Sequence, residues 1–250
     1  MISKAGVDDW DQHWTEISPS SDIAPSTAYR SRVIRKLLGI NRPGAGARVL
    51  EIGSGTGSFA EEFVGDYPQA VYLGLDMSAT GVRISANKVP SATFRQRDLL
   101  LPPGPADDLE FGATHAISSE VLEHVDDPAK LLRASTPYMA PGCRLIVTVP
   151  GGPMNAFQKH IGHRRHYTPG DLSELIRSAG FEVERASGIG FPFYNLYMWA
   201  LLQRGKKAIE LVSGPPGLPV RAASSIFNAL FHLNSMKAGW QMVAVARWPG

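Results

Sequence analysis

The stretch ARVLEIGSGTGSF, residues 47–59, joins a run of aliphatic residues directly to a glycine-rich turn. The aliphatic run predicts a buried strand over 47–52, and the residues after the turn predict a helix. Glycines in such a turn let a ligand approach the backbone, and the first N–H groups of the helix point at the same place. The spacing differs from the dinucleotide-binding fingerprint G-x-G-x-x-G, because Ser58 stands where that motif has its third glycine. This difference disfavours an NAD-dependent oxidoreductase.

Strand-like runs alternate with helical patterns along most of the chain. Ser78 is suited to cap a helix over 79–88, Asp127 precedes a proline that starts another helix, and Thr168 begins a capping-box pattern. The alternation predicts an α/β fold, a Rossmann-like three-layer sandwich with helices on both faces of a seven-stranded, mostly parallel sheet. A long insertion precedes the last strand, which is therefore expected to run antiparallel. The predicted strands cover 47–52, 70–75, 92–96, 113–118, 143–149, 181–186 and 240–248.

The composition is that of a globular protein, with 250 residues of which 44 % are hydrophobic and 19 % are charged. We expect a single domain over 1–250, with an N-terminal helical flap over 1–40 and a helical insertion over 187–239. The net charge of +2 gives no support to a nucleic-acid partner. Because the chain has one cysteine, no apolar signal segment and no apolar run of transmembrane length, the sequence predicts a cytoplasmic protein without a membrane span.

Two acidic residues follow the second and third predicted strands. Asp76 comes nineteen residues after Gly57, and Asp98 follows the next strand along the chain. A carboxylate at the end of the second strand can accept hydrogen bonds from both hydroxyls of a ribose. Because ligands of open α/β sheets bind at the carboxyl edge of the strands, the glycine turn and the two carboxylates together predict a nucleoside-containing ligand.

The pattern E-x-G-x-G-x-G, with acidic residues after the second and third strands, resembles the class I S-adenosylmethionine-dependent methyltransferases. The likeness covers most of the chain and is weakest over 1–28 and 187–239. It implies S-adenosylmethionine as cofactor and S-adenosylhomocysteine as product. It also implies that Asp76 holds the ribose, that Asp98 meets the adenine amino group, and that Met77 and Leu99 pack beside the adenine. It places Tyr29 and Arg30 over the cofactor, where Arg30 either pairs with the cofactor carboxylate or has a plain surface role. The residues it places around the amino-acid part are Glu51, Gly53, Ser54, Gly55, Thr56, Gly57 and Ser119.

A second set of acidic and histidine side chains follows strands four and five. On a helix, Glu120, Glu123 and His124 would share one face. In one interpretation the glutamates have no catalytic role and are residues of the first helical turn, where the helix dipole favours acidic side chains, and the loop histidines are solvated. In a second, His124 or His163 is a general base for the methyl acceptor. In a third, these carboxylates and imidazoles bind a divalent cation. The loop histidines are His160, His163 and His166.

The pattern E-x-x-E-H, with a later histidine before an aromatic–threonine pair, is similar to the metal-dependent 2′-O-methyltransferases of small RNAs. It also resembles the ubiquinone-pathway O-methyltransferases. These resemblances imply that the metal ligands are Glu120, Glu123, His124 and His163. The last of these is selected by matching the aromatic–threonine pair of the family to residues 167–168.

Aromatic clusters in the N-terminal segment and in the insertion predict where an acceptor would bind. They either form the walls of a pocket for a hydrophobic or aromatic small molecule, or pack the added helices, or form a homodimer contact. Arg164 and Arg165 either bind an acidic substrate group or are solvated loop charges. The basic run at 204–207 is a weak signal for a membrane surface. The aromatic residues are Trp10, Trp14, Phe191, Phe193, Tyr194, Tyr197 and Trp199.

We therefore expect a methyltransferase that moves a methyl group from S-adenosylmethionine to an O, N or C nucleophile of a small hydrophobic or aromatic metabolite. One alternative is a metal-dependent RNA 2′-O-methyltransferase, which the near-neutral charge and the lack of an appended RNA-binding domain disfavour. The other alternative is a non-catalytic protein that binds S-adenosylmethionine.

Overall fold

The protein was analysed as a computed structural model that describes residues 9–21, 24–104, 107, 109–154, 158–159, 161–204 and 218–250. Its centre is one seven-stranded sheet with the spatial order β3-β2-β1-β4-β5-β7-β6. Six strands are parallel, and β7 runs antiparallel between β5 and β6. The predicted fold class is confirmed. The strands are β1 (Arg48–Ile52), β2 (Val71–Asp76), β3 (Thr93–Gln96), β4 (Ala113–Ser119), β5 (Met139–Pro150), β6 (Glu182–Ile189) and β7 (Gln241–Arg247).

Local capping signals set several helix starts where the sequence predicts them. The Ser78 hydroxyl accepts a hydrogen bond from the Gly81 N–H, and Asp127 accepts one from the Lys130 N–H. Thr168 forms a complete capping box with Asp171. The helices are α1 (Trp10–Ser21), α2 (Pro25–Leu38), α3 (Ser58–Asp66), α4 (Ala79–Lys88), α5 (Pro128–Ser135), α6 (Pro169–Ser178), α7 (Phe193–Arg204) and α8 (Leu218–Leu230).

The alternation of side chains along each strand builds two cores, one on each face of the sheet. Leu50 and Leu73 pack on the face covered by α5 and α6. Val49 and Tyr72 pack on the opposite face, together with α2 and the insertion helices α7 and α8. β6 extends to Ile189, so it takes up the first residues of the segment predicted as an insertion. None of the helices in the described ranges combines the length and the apolar character that crossing a bilayer requires.

The strand order places a crevice at one edge of the sheet. β1 pairs with β2 on one side and with β4 on the other, so the chain changes direction across the sheet next to β1. The carboxyl ends of these strands meet there, since Ile52 lies opposite both Leu75 and Ser118. Such a switch point is where open α/β sheets bind their ligands.

Candidate active site

The glycine turn after β1 has a conformation that requires glycine. Gly53, Gly55 and Gly57 have φ angles of 75°, 52° and 76°. The N–H groups of Gly53 and Ser54 donate to the Leu75 carbonyl over 2.8 and 3.0 Å, which fixes the turn to the end of β2. A Cβ on Gly55 would lie 2.8 Å from the Trp14 ring, so helix α1 packs directly onto the turn.

Asp76 connects this turn to the start of α4. Its Oδ2 accepts a hydrogen bond from the Gly55 N–H over 2.7 Å, and its Oδ1 accepts one from the Ser78 N–H over 2.8 Å. Burial raises the pKa of Asp76, and these two backbone hydrogen bonds oppose that shift. Each oxygen keeps a second lone pair, so the carboxylate can still accept hydrogen bonds from a ligand.

Glu51 lies beneath the turn and is only 4 % exposed. One of its carboxyl oxygens accepts a hydrogen bond from the Tyr72 hydroxyl over 2.6 Å. Burial raises the pKa of Glu51 from its usual 4.5 to about 8, so the folded protein holds this carboxyl protonated at neutral pH.

The Glu51→Gln substitution is therefore expected to flatten the pH dependence of stability. Between pH 4.5 and about 8 the folded chain binds a proton that the unfolded chain has lost, so the free energy of unfolding falls as the pH rises through this window. Gln keeps the acceptor for Tyr72 but cannot ionise. Urea unfolding at both ends of the window is expected to show a fall smaller by up to about 5 kcal/mol in the variant. Equal slopes in the two proteins would contradict the assignment.

A cavity of about 620 Å³ runs from the glycine turn towards α7. Of the residues expected around a cofactor, most line it, but two do not. Tyr29 is buried in the core with its ring 5.5 Å from that of Tyr194, and a Cβ on Gly57 would lie 2.8 Å from Ser85 beneath the turn. The expected cofactor residues that line the cavity are Arg30, Glu51, Gly53, Ser54, Gly55, Thr56, Asp76, Met77, Asp98, Leu99 and Ser119.

Helix α1 covers the cavity and is held by a side chain that the sequence does not single out. The Asp11 carboxylate accepts hydrogen bonds from the Ser78 hydroxyl over 2.5 Å and from the Thr80 N–H over 2.8 Å. It therefore joins α1 to the N-terminus of α4. On the same helix, the Trp10 ring meets the His124 ring edge-on at 4.8 Å.

Glu120 departs from the helix expected after β4. Its φ of 56° ends the strand in a left-handed turn, and only a 3₁₀ turn over Leu122–His124 follows. The Glu120 Oε1 accepts a hydrogen bond from the Gln241 Nε2 over 2.8 Å, and its Oε2 lies 3.9 Å from the Arg30 guanidinium. Gln241 comes from the last strand, and no local signal in the sequence marks it as part of this site.

Glu123, His124 and His163 do come together, with one ligand atom from each lying within 4.8 Å of the others. Glu123 has no exposed surface, and neither carboxylate oxygen accepts a hydrogen bond from another residue in the described part of the chain. Burial, and then the nearby Glu120, raise the pKa of Glu123 well above its usual range. Burial lowers the pKa of His124 and of His163 to about 4, so both imidazoles are neutral at pH 7. The predicted cluster member His160 lies outside the described residues.

The aromatic and basic residues predicted on the acceptor side take different positions relative to the cavity. Trp10, Trp14, Tyr194 and Tyr197 line the cavity, whereas Phe191 and Trp199 are more than half exposed. Arg164 lines the cavity but forms an ion pair with Asp126, and Arg165 donates to the Asp126 carbonyl over 3.0 Å. The basic run after Arg204 lies outside the described residues. Lining residues that the sequence does not indicate include Thr27, Gln158, Met198 and Leu201.

Comparison with known proteins agrees with this geometry. A family model described as a methyltransferase domain matches residues 26–186, which is more than half of the chain. Trans-aconitate 2-methyltransferase of Methylobacterium nodulans is 34 % identical over 122 residues, which are 48 % of this chain and 45 % of that relative. Ubiquinone biosynthesis O-methyltransferase of Acinetobacter baylyi is 25 % identical over 76 % of this chain and 83 % of that relative. The chain spans about half the length of several curated relatives that it matches.

Solved structures show the same fold. Phosphoethanolamine N-methyltransferase 2 of Haemonchus contortus, solved with S-adenosyl-L-methionine, has a TM-score of 0.65. The match covers 98 % of this chain and 61 % of that chain at 16 % identity. The family match spans the glycine turn, the carboxylates of Asp76 and Asp98 and the acid–histidine cluster, which is the set Glu123, His124 and His163. The chain belongs to the class I S-adenosylmethionine-dependent methyltransferases.

Proposed function

We propose that the cavity binds S-adenosylmethionine over the glycine turn and that the chain transfers its methyl group to a small apolar or aromatic metabolite. The observation that carries this proposal is the placement of Asp76. Its carboxylate is fixed by the Gly55 and Ser78 N–H groups at the mouth of a cavity that continues to the aromatic wall of Tyr194 and Tyr197. Family membership and the S-adenosylmethionine-bound neighbour support the choice of cofactor.

In this proposal each part of the cofactor is bound by its own set of side chains. Asp76 accepts hydrogen bonds from the ribose, and Asp98 meets the adenine amino group beside Met77 and Leu99. Ser119 and the turn from Gly53 to Gly57 border the amino-acid part, whose carboxylate would pair with Arg30. Tyr29 is buried against the ring of Tyr194 and has no contact with the cofactor in this proposal.

The bound cofactor supplies an electrophilic methyl group, and the chain supplies alignment and a dry site. Trp10, Tyr194 and Tyr197 line the acceptor end with aromatic surface. In this proposal His124 or His163, whose imidazoles are neutral at pH 7, accepts a proton from an acceptor hydroxyl. Their lowered pKa values make them weak bases, which is one reason to consider a cation beside them.

A divalent cation held by Glu123, His124 and His163 is a second proposal about the same site. A fully buried carboxylate without a hydrogen-bond donor is costly, and a cation would offset that cost. Carboxylate and imidazole together suit magnesium, manganese or zinc, and a cation at this place would lower the pKa of a bound hydroxyl. The fourth expected ligand, Glu120, is hydrogen-bonded to Gln241 and lies close to Arg30. Three protein ligands would leave positions open for an acceptor oxygen.

The methyl-transfer proposal predicts S-adenosylhomocysteine formation when the protein is given S-adenosylmethionine and a panel of phenols, catechols and small carboxylic acids. The product is measured by chromatography, with Asp76→Ala as the inactive control. Binding of the cofactor without turnover on any member of the panel would instead support a non-catalytic binding protein. A gel shift with short RNA, together with turnover on RNA alone, would support the RNA 2′-O-methyltransferase.

The cation proposal predicts that thorough chelation removes turnover and that manganese or magnesium restores it. Elemental analysis of the untreated protein is expected to find a divalent metal at up to one per chain. Turnover that survives chelation, with no metal found, would exclude the cation and leave His124 or His163 as the base.

A further inference from the structure

His166 is a side chain to which the proposed function gives no role, yet it forms a chain of hydrogen bonds with His163. The His166 Nδ1 lies 3.0 Å from the carbonyl oxygen of Gly152. The His166 Nε2 lies 3.1 Å from the His163 Nδ1. Both histidines lie on the segment after β5, which supplies His163 to the cluster, whereas Glu123 and His124 follow β4. The His163 ring meets the His124 ring edge-on at 5.0 Å.

The directions of these hydrogen bonds follow from what each atom can do. A carbonyl oxygen only accepts, so the His166 Nδ1 must carry the proton. A neutral imidazole has one N–H, which leaves the His166 Nε2 as an acceptor. The His163 Nδ1 must then donate to it. The His163 Nε2 is consequently left with a free lone pair.

The backbone around this hydrogen-bond chain is fixed at several points. Gly152 has a φ of 71°, and a Cβ there would lie 2.7 Å from the Trp240 ring, so its carbonyl has little freedom to turn. The Tyr167 N–H donates to the Pro150 carbonyl over 3.1 Å. On the other side, the Arg164 N–H donates to the Glu123 carbonyl over 2.8 Å. The segment that carries the two imidazoles is therefore fixed at one end to β5 and at the other to the backbone of Glu123.

We propose that His166 is a positioning residue that holds His163 in the Nδ1–H tautomer, with the Nε2 lone pair available to the cluster of Glu123 and His124. A lone pair at that nitrogen serves either a metal ligand or a base, so the inference does not depend on which of the two is correct. It rests on the proposed function only for its effect on methyl transfer. Outer hydrogen bonds of this kind set the orientation and the tautomer of an active-site imidazole.

The direct test reads the tautomer by long-range proton–nitrogen NMR of histidine-labelled protein at about pH 8, where His163 is neutral. His163→Gln identifies the His163 signals. We expect the Nδ1–H pattern for His163 in the wild type, its loss in His166→Ala, and its return in His166→Gln, whose Oε1 restores an acceptor. His115, which lies near the amino end of β4 and shares a hydrogen bond with Thr114, is the internal reference.

A functional readout accompanies the spectra. His166→Ala is expected to lower kcat, or the affinity for manganese alone, by about 10–100-fold, with the S-adenosylhomocysteine affinity unchanged. His166→Gln is expected to recover most of that loss. An Nε2–H pattern for His163 in the wild type, an unchanged pattern in His166→Ala, or a Gln variant that behaves like Ala would each overturn the inference. Because the spectra need no acceptor, the tautomer can be tested even if the proposed methyl transfer fails.

Discussion

Asp76→Ala is expected to weaken the binding of S-adenosylhomocysteine by at least about 100-fold. The substitution removes the acceptor proposed for the ribose hydroxyls, and a hydrogen bond to a charged group contributes about 1.5–3 kcal/mol. It also releases the N–H groups of Gly55 and Ser78, which fix the glycine turn to α4. Two such interactions correspond to a factor of about 100 or more in affinity. Calorimetric titration of the wild type and of Asp76→Ala with S-adenosylhomocysteine measures the two affinities.

Two further variants separate the charge of Asp76 from its structural contacts. Asp76→Asn keeps one acceptor oxygen and should fall between the wild type and Asp76→Ala. Glu184→Ala removes a carboxylate of β6 that pairs with Arg144 and Arg247 near the opposite edge of the sheet, and it should bind as the wild type does. Wild-type affinity in Asp76→Ala would show that the cofactor lies elsewhere.

Glu123→Gln is expected to remove manganese binding by at least about 100-fold while making the metal-free protein more stable. The loss follows from removing the one carboxylate of the three-residue cluster. The gain follows because burial raises the pKa of Glu123, so this carboxyl must take up a proton on folding near neutral pH, whereas a neutral amide avoids that cost, by about 1–3 kcal/mol. Electron paramagnetic resonance of manganese and urea unfolding of the metal-free protein measure the two effects.

Glu120→Gln is the matched comparison, because it removes a carboxylate three residues away. Both of its carboxylate oxygens have other partners, since one accepts a hydrogen bond from Gln241 and the other lies near Arg30, so we expect a smaller loss of manganese affinity. A loss in Glu120→Gln equal to that in Glu123→Gln would restore the four-ligand set that the sequence resemblance implies. Unchanged manganese binding in both variants would contradict the cation proposal.

The sequence predicts the sheet and the helix starts well because the signals are local. The capping residues Ser78, Asp127 and Thr168 each act within three residues of the helix they begin. The strands alternate with these helices, and a parallel sheet follows from that order. Asp76 and Asp98 could likewise be placed at one edge, because Asp76 ends β2 and Asp98 comes two residues after the end of β3.

The parts that the sequence does not predict depend on contacts between distant residues. The left-handed backbone of Glu120 goes with a hydrogen bond from Gln241, which lies more than a hundred residues away. Tyr29 was expected near the cofactor, but the insertion helices pack against its ring. Asp11 could not be recognised as the link between α1 and α4 before the fold was known.

The direction of the aromatic side chains on α7 also could not be predicted. Its sequence, FYNLYMWALLQR, is apolar at most positions, so no periodicity shows which side faces inward. The structure turns Tyr194 and Tyr197 into the cavity and leaves Leu196 and Trp199 about half exposed. Both sets are equally apolar in sequence, and only the packing against α2 and α8 distinguishes them.

The most direct test of the central claim is calorimetric titration of the unmodified protein with S-adenosylhomocysteine and, separately, with NAD. The glycine spacing and the Asp76 geometry predict saturable heat with S-adenosylhomocysteine at one site per chain and none with NAD. Heat with NAD and none with either form of the methyl donor would contradict the assignment of this cavity.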